Sequence, residues 1–301
     1  MTDSVNYRVI HETRYTYSDT VTSSRQLAHL RPRGTPWQTV HAHVLRIDPE
    51  ASEQADDSDY FGNGITRFAV DTSHDELSVR AESIVEVHSH APDPATGPPW
   101  ESGRAAPGMW SPGEELEVVE FRLASPMIPL LREAADYARA SFPGGRGLVA
   151  AVLDLTLRIR ADFAYDPKAT TVTTQVREVL ALRRGVCQDF AHLMISCLRS
   201  MGLAARYVSG YILNRAAPGK KKLLGADASH AWVQVYCPDL GWLAFDPTNG
   251  KVADLEFVTL GWGREFSDVT PLRGVVLGSA TQELAVAVTV QPVAQGAVIK
   301  D

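Results

Sequence analysis

The stretch Gly185–Met201, GVCQDFAHLMISCLRSM, decides how the rest of the chain is read. Gly185 breaks the pattern before it. From Cys187 onward, Phe190, Ala191, Leu193, Met194, Ile195, Cys197, Leu198 and Met201 leave few polar positions, so the spacing predicts a helix buried on most sides. Its first residue is a cysteine. The first N–H groups of a helix lack intrahelical acceptors, and the positive end of the dipole favours an anion there. Thiolate is the nucleophilic form of cysteine, which makes Cys187 a candidate nucleophile whose own N–H can steady an oxyanion. Gly185 leaves room for a substrate chain to pass close to the turn. Cys197, deep in the same helix, and Cys237, beside a turn, read as structural.

A base and its orienter are sought downstream. Ser229–Tyr236 alternates as a strand, with His230, Trp232, Gln234 and Tyr236 on one face and Ala231, Val233 and Val235 on the other. A histidine on a strand can be held rigidly against a nucleophile on a neighbouring helix, and Trp232 on its face is a substrate-cleft candidate together with Gly185. Asp246 closes a second strand, Trp242–Asp246, and Pro247 ends it. The two strands should form a hairpin whose register decides the site. A two- or four-residue loop puts His230 and Asp246 on opposite faces. An odd loop, Pro238-Asp239-Leu240 with Gly241 left-handed, pairs 230 with 248 and makes Asp246 the diagonal neighbour on the same face, within reach of the histidine. The turn chemistry permits this register without requiring it. Cys187, His230 and Asp246 then have the nucleophile–base–orienter logic of acyl transfer.

Outward from this region the chain changes character twice. Tyr7–Tyr17, Val40–Ile47, Gly64–Val70 and Asp75–Val87 read as strands separated by turn signals, which suggests a sandwich or curled antiparallel sheet. Ser89–Gly113 is rich in Pro, Gly, Ala and Ser, and reads as a linker or strap pinned by Trp100 and Trp110. Met127–Ala140, Leu148–Ala161 and Thr174–Arg183 carry helical periodicity, the last with Thr174 as N-cap. Ala204–Leu213 is a further strand, and Glu283–Val290 a last one that could join either domain's sheet.

The bulk numbers exclude several classes of function. The 301 residues carry a net charge of −7, with 45% hydrophobic and 22% charged residues, which fits a soluble globular protein of two domains and argues against nucleic acid as the main partner. The run Lys220-Lys221-Lys222 reads as a solvated loop. No segment is apolar enough to span a bilayer, and the N-terminus lacks a secretory signal pattern. Three cysteines make no disulfide framework, so a reducing cytoplasm is the expected setting. Neither a metal-ligand spacing nor a phosphate-binding Gly-rich loop stands out, and no cofactor is implied.

Gly185-Val186-Cys187-Gln188-Asp189-Phe190-Ala191, Ala228-Ser229-His230-Ala231-Trp232 and Trp242-Leu243-Ala244-Phe245-Asp246-Pro247-Thr248 together resemble the core of the bacterial transglutaminase-like superfamily. The stretches 11–17, Leu30-Arg31-Pro32-Arg33 and Phe61-Gly62-Asn63-Gly64 are similar to the β-rich domain ahead of that core, and 263–274 to the family's closing segment. The resemblance implies an α+β fold: a papain-like core in which the Cys helix packs on an antiparallel sheet carrying His and Asp, preceded by a β-rich, sandwich-like domain. Residues 1–120 are assigned to the N-terminal domain, with the linker at about 89–113, and 121–301 to the catalytic domain.

By the same resemblance, Cys187 attacks a carboxamide or peptide carbonyl, His230 moves the proton, and Asp246 holds the imidazole tautomer. The superfamily includes transamidases, proteases, amidases and inactive relatives. Hydrolysis by a cysteine protease or amidase ranks ahead of amine transfer, because water needs no second substrate site. A non-catalytic peptide-binding scaffold is the third reading. Animal cross-linking transglutaminases place a tryptophan upstream of the cysteine for the oxyanion, whereas here no tryptophan occurs between Trp110 and Trp232. Tyr165 and Gln188 are the candidate oxyanion donors instead, while Asp189 and His192 read as structural or rim residues. The partner implied is a protein or peptide substrate, with oligomer formation through the N-terminal domain left open.

Overall fold

A computed structural model describes residues 3–104, 114–213, 229–278 and 281–299. Trp110 and Lys220-Lys221-Lys222 lie outside the described residues. The N-terminal part holds strands β1 (Ser4–Val21), β2 (Ser23–Ala28), β3 (Gln38–Asp48), β4 (Glu53–Ser58), β5 (Gly64–Val70) and β6 (His74–His88). Then come α1 (Glu114–Glu120), α2 (Arg132–Arg139), α3 (Leu148–Asp162), β7 (Ala164–Tyr165), α4 (Val176–Leu182), β8 (Arg184–Gly185) and α5 (Cys187–Ser200). The chain continues through β9 (Ala205–Ile212), β10 (Ser229–Cys237), β11 (Gly241–Asp246), β12 (Lys251–Val252) and β13 (Phe257–Gly263), and closes with β14 (Leu272–Leu277) and β15 (Gln282–Val293).

The alternation read along β1 and β6 places Tyr17, Val21, Leu77, Val79 and Ala81 on one inward face, opposite Ala28, Leu30, Phe68, Val70 and Leu272. Two four-stranded sheets, β15-β1-β6-β3 and β14-β2-β5-β4, share that core as a sandwich. The last two strands join the sandwich, one of the two alternatives left open for Glu283–Val290. β15 pairs with β1 from Asn6↔Val293 to Tyr17↔Gln282, and β14 pairs with β2, so the C-terminal end of the chain completes the N-terminal sheets.

The second unit is a five-stranded sheet, β12-β11-β10-β9-β13, with α5 packed on one face. Ala231, Val233 and Val235 of β10 meet Phe190, Ala191, Met194 and Cys197 of α5 in the largest core, as their alternation predicts. The opposite face is also buried: Trp232, Val208 and Trp262 pack with Val118 of α1 and Phe121. The sandwich docks on this sheet through Tyr7, Val9, Val288 and Val290 against Tyr211, Val258 and Leu260. Gln38 adds a two-way amide pairing with the backbone of Thr259, at 2.8 Å each way. Arg33 and Asn63, from the two N-terminal stretches quoted above, reach Trp262: the guanidinium lies 3.7 Å from the ring centre, and the Asn63 amide donates to the Trp262 carbonyl.

Two local expectations change. The helix expected over Met127–Ala140 begins only at Arg132, because Pro129 interrupts it and Leu131 is extended; Ser196 Oγ donates to the Pro129 carbonyl and fastens this strap to α5. Gln175, not Thr174, is the N-cap of α4, and the Thr174 hydroxyl accepts from the Thr171 N–H instead. β2, β4, β13 and β14 were not legible as strands; β4 is exposed at every position and so has no apolar alternation to read. Trp100 pins the linker as expected, with its Nε1 donating to the Pro143 carbonyl.

Candidate active site

Cys187 is the first residue of α5 and is partly exposed. The start of this helix is built by Asp189, which is buried. Its Oδ2 accepts the Val186 N–H at 2.8 Å and the Thr170 hydroxyl at 2.6 Å, while the helix ladder opens with Phe190 N–H to the Val186 carbonyl. Asp189 is therefore a structural residue.

A Cβ at Gly185 would sit 2.7 Å from Asp189 Oδ2, so the glycine admits the capping carboxylate. Gln188 is corrected as an oxyanion donor: its Nε2 donates to the Val172 carbonyl at 3.0 Å. Tyr165 lies on β7 with its Cα opposite Gly185, and is 58% exposed at the rim. Burial and the charge of Cys187 raise its phenol.

β10 and β11 take the odd-loop register. Cys237 pairs with Gly241 and Val233 with Phe245, leaving Pro238-Asp239-Leu240 as the loop. Gly241 has φ 74°, where glycine carries no steric cost. His230 and Asp246 consequently share a face, and His230 Nε2 lies 2.8 Å from Asp246 Oδ2. The Cys187 thiol also acts on this imidazole. Burial pushes the His230 imidazolium down, but the hydrogen bonds to Asp246 and Cys187, with the charges of both, outweigh it and hold the group up at about 10. Asp246 is fully buried, yet the bonds from His230 and Asn249 and the imidazolium charge keep its carboxyl below the usual range.

Trp232 is not a cleft residue. It is 1% exposed, its ring stacks on His230 at a centroid distance of 6.1 Å, and Phe257 meets it edge-on at 5.2 Å. It lies beside the imidazole on the same face of β10. His192 is buried and neutral, held down at about 3 by burial and the Arg199 charge, and its Nε2 accepts from the Phe266 N–H.

Asn249 was not singled out from the sequence. It lies on the turn after Asp246 and donates to that carboxylate at 2.6 Å. An Asx-type turn signal at Asp246-Pro247-Thr248-Asn249 was its only trace. Among the described residues, no group of three or more His, Cys, Asp or Glu side chains is placed to hold a metal ion.

A cysteine at a helix N-terminus and a histidine fixed by a buried carboxylate on the adjoining antiparallel sheet are the features to set beside known proteins. Residues 7–86 match the bacterial transglutaminase-like N-terminal region, and residues 137–247 match the transglutaminase-like superfamily. The chain belongs to the transglutaminase-like superfamily. It is 41% identical over 297 residues to uncharacterized protein Rv2569c of Mycobacterium tuberculosis, covering 95% of this chain and 92% of that one. A protein-glutamine gamma-glutamyltransferase of Pseudomonas aeruginosa is 33% identical over 121 residues, which is 40% of this chain and 18% of that protein. In fold, the chain is similar to the crystal structure of a candidate cysteine protease from Cytophaga hutchinsonii, with TM-score 0.76 and 19% identity over all of this chain and 95% of that one.

Proposed function

We propose that this protein is a thiol-dependent acyl-transfer enzyme that cleaves amide or peptide bonds through a thioester, as a cysteine protease or amidase. The observation that carries the reading is the His230 Nε2 bond to buried Asp246 at 2.8 Å, on an imidazole that is also influenced by Cys187 at the head of α5. In this reading, Cys187 passes its thiol proton to His230 and its Sγ attacks the substrate carbonyl carbon. His230 gives its proton to the leaving amine as the C–N bond breaks, which leaves a thioester. His230 then takes a proton from water, the water oxygen attacks the thioester, and the acid departs as the thiol is regenerated. The α5 N-terminus, with the N–H of Cys187, faces the developing oxyanion, and the Tyr165 phenol is the candidate second donor.

Amine transfer is the second reading. It is favoured by the stretch of similarity to the Pseudomonas glutamyltransferase, and differs only in that a primary amine replaces water. The test is incubation of the protein with a casein substrate, with and without a labelled primary amine. New termini or ammonia without amine support hydrolysis, and incorporated label supports transfer. Both signals should vanish in Cys187→Ala. If neither appears while the substrate is retained, the peptide-binding scaffold is the better reading. The proposed setting is a reducing compartment, which keeps Cys187 a thiol. No described helix is long and apolar enough to cross a membrane.

A further inference from the structure

We infer that Asn249 is a positioning residue that holds the Asp246 carboxylate in the plane of the His230 imidazole; this rests on the acyl-transfer reading above. Asn249 sits in the turn between β11 and β12. Its Nδ2 donates to Asp246 Oδ2 at 2.6 Å and lies 3.5 Å from His230 Nε2. The imidazole reaches the same oxygen at 2.8 Å. The other oxygen, Oδ1, accepts the N–H groups of Thr248 at 2.9 Å and Asn249 at 3.2 Å. The backbone of the turn therefore fixes Oδ1, and the Asn249 side chain fixes Oδ2, the oxygen that orients the histidine.

Burial gives the amide a second task. Asp246 is 0% exposed, whereas Asn249 stands at the surface. The amide is a cover between the carboxylate and solvent. Water in its place would compete with the imidazole for Oδ2 and weaken a bond that low polarity strengthens. A mobile Asp246 would let the His230 ring rotate out of its orientation toward the nucleophile. The other charged groups around the turn point to other tasks: Arg160 of α3 packs under Gly250, and Lys251 pairs with Glu256.

The experiment is iodoacetamide alkylation of the full chain across pH, read per cysteine by peptide mass spectrometry, in wild type, Asn249→Ala and Asn249→Asp. Cys197 and Cys237 are buried and report folding by staying unlabelled. Loss of one hydrogen bond to a charged group predicts that Asn249→Ala slows Cys187 about tenfold at neutral pH with both reporters silent. Asn249→Asp is expected to approach the wild-type rate at the acid end, where its protonated carboxyl can donate to Oδ2. The rate should fall away as that carboxyl ionises beside Asp246. A purely structural effect would lower the rate equally at every pH. If Asn249→Ala exposes the reporters, the pH course of Asn249→Asp decides alone, and a course parallel to wild type overturns the inference. A fast wild type with an equally fast Asn249→Ala overturns only the role of Asn249, whereas a wild-type Cys187 no faster than an ordinary thiol overturns the proposed function with it.

Discussion

Gly185 and Asp189 are packed so closely that a Cβ on the glycine would lie 2.7 Å from the carboxylate oxygen that caps α5. The contact links the residue before the nucleophile's turn to the group that holds that turn. Gly185→Ala should push Asp189 off the Val186 N–H and tilt the first turn carrying Cys187. The expected cost is about 1–3 kcal/mol of stability, from a capping bond lost at a buried site. Denaturant unfolding measures the cost, and slower alkylation of Cys187 should accompany it. An unchanged midpoint would show that the turn absorbs the methyl group.

The three cysteines should separate by reactivity. Burial pushes Cys197 up to about 12 and Cys237 up to about 11, so neither should react in the native protein below pH 9. Cys187 is partly exposed and is paired with His230. Iodoacetamide should label Cys187 alone, and His230→Ala should slow that labelling at pH 6 by at least about tenfold through loss of the imidazolium. Equal labelling of all three would contradict the arrangement.

The His230 pair predicts a stability slope with a definite sign. The imidazolium rises from an ordinary 6.5 to about 10 in the fold. A raised value means the folded state holds the proton more tightly, so this contribution is complete below pH 6.5 and is lost as pH rises through about 10. The unfolding midpoint of wild type minus that of His230→Gln should therefore shrink between those limits. A difference that stays flat across that window would show that the imidazole is neutral in the fold.

The C-terminal strand predicts a coupling between the chain's ends. Val290 is 0% exposed and packs with Tyr7, Val9, Val258 and Leu260. Val290→Asp places a charge in that core and should cost more than about 3 kcal/mol. Hydrogen exchange should quicken along β1, at Tyr7–Thr13, as well as along β15. Exchange limited to residues 282–293 would mean that β1 keeps its place without its neighbour.

Periodicity alone determined much of this protein. The apolar run after Gly185 specified a buried helix with Cys187 at its head, and the alternation of Ser229–Tyr236 specified a strand with His230 on one face, because 3.6- and 2-residue periods are local properties of side chains. The turn residues narrowed the hairpin to a few registers. Tertiary structure selected the one pairing Cys237 with Gly241, which brings Asp246 to His230. It also buried Trp232 beside the histidine, turned the Gln188 amide to Val172, laid Asn249 over Asp246 and sent β15 back to β1. Each of these depends on partners far away in sequence or on one side-chain rotamer, and neither leaves a period or a composition to read.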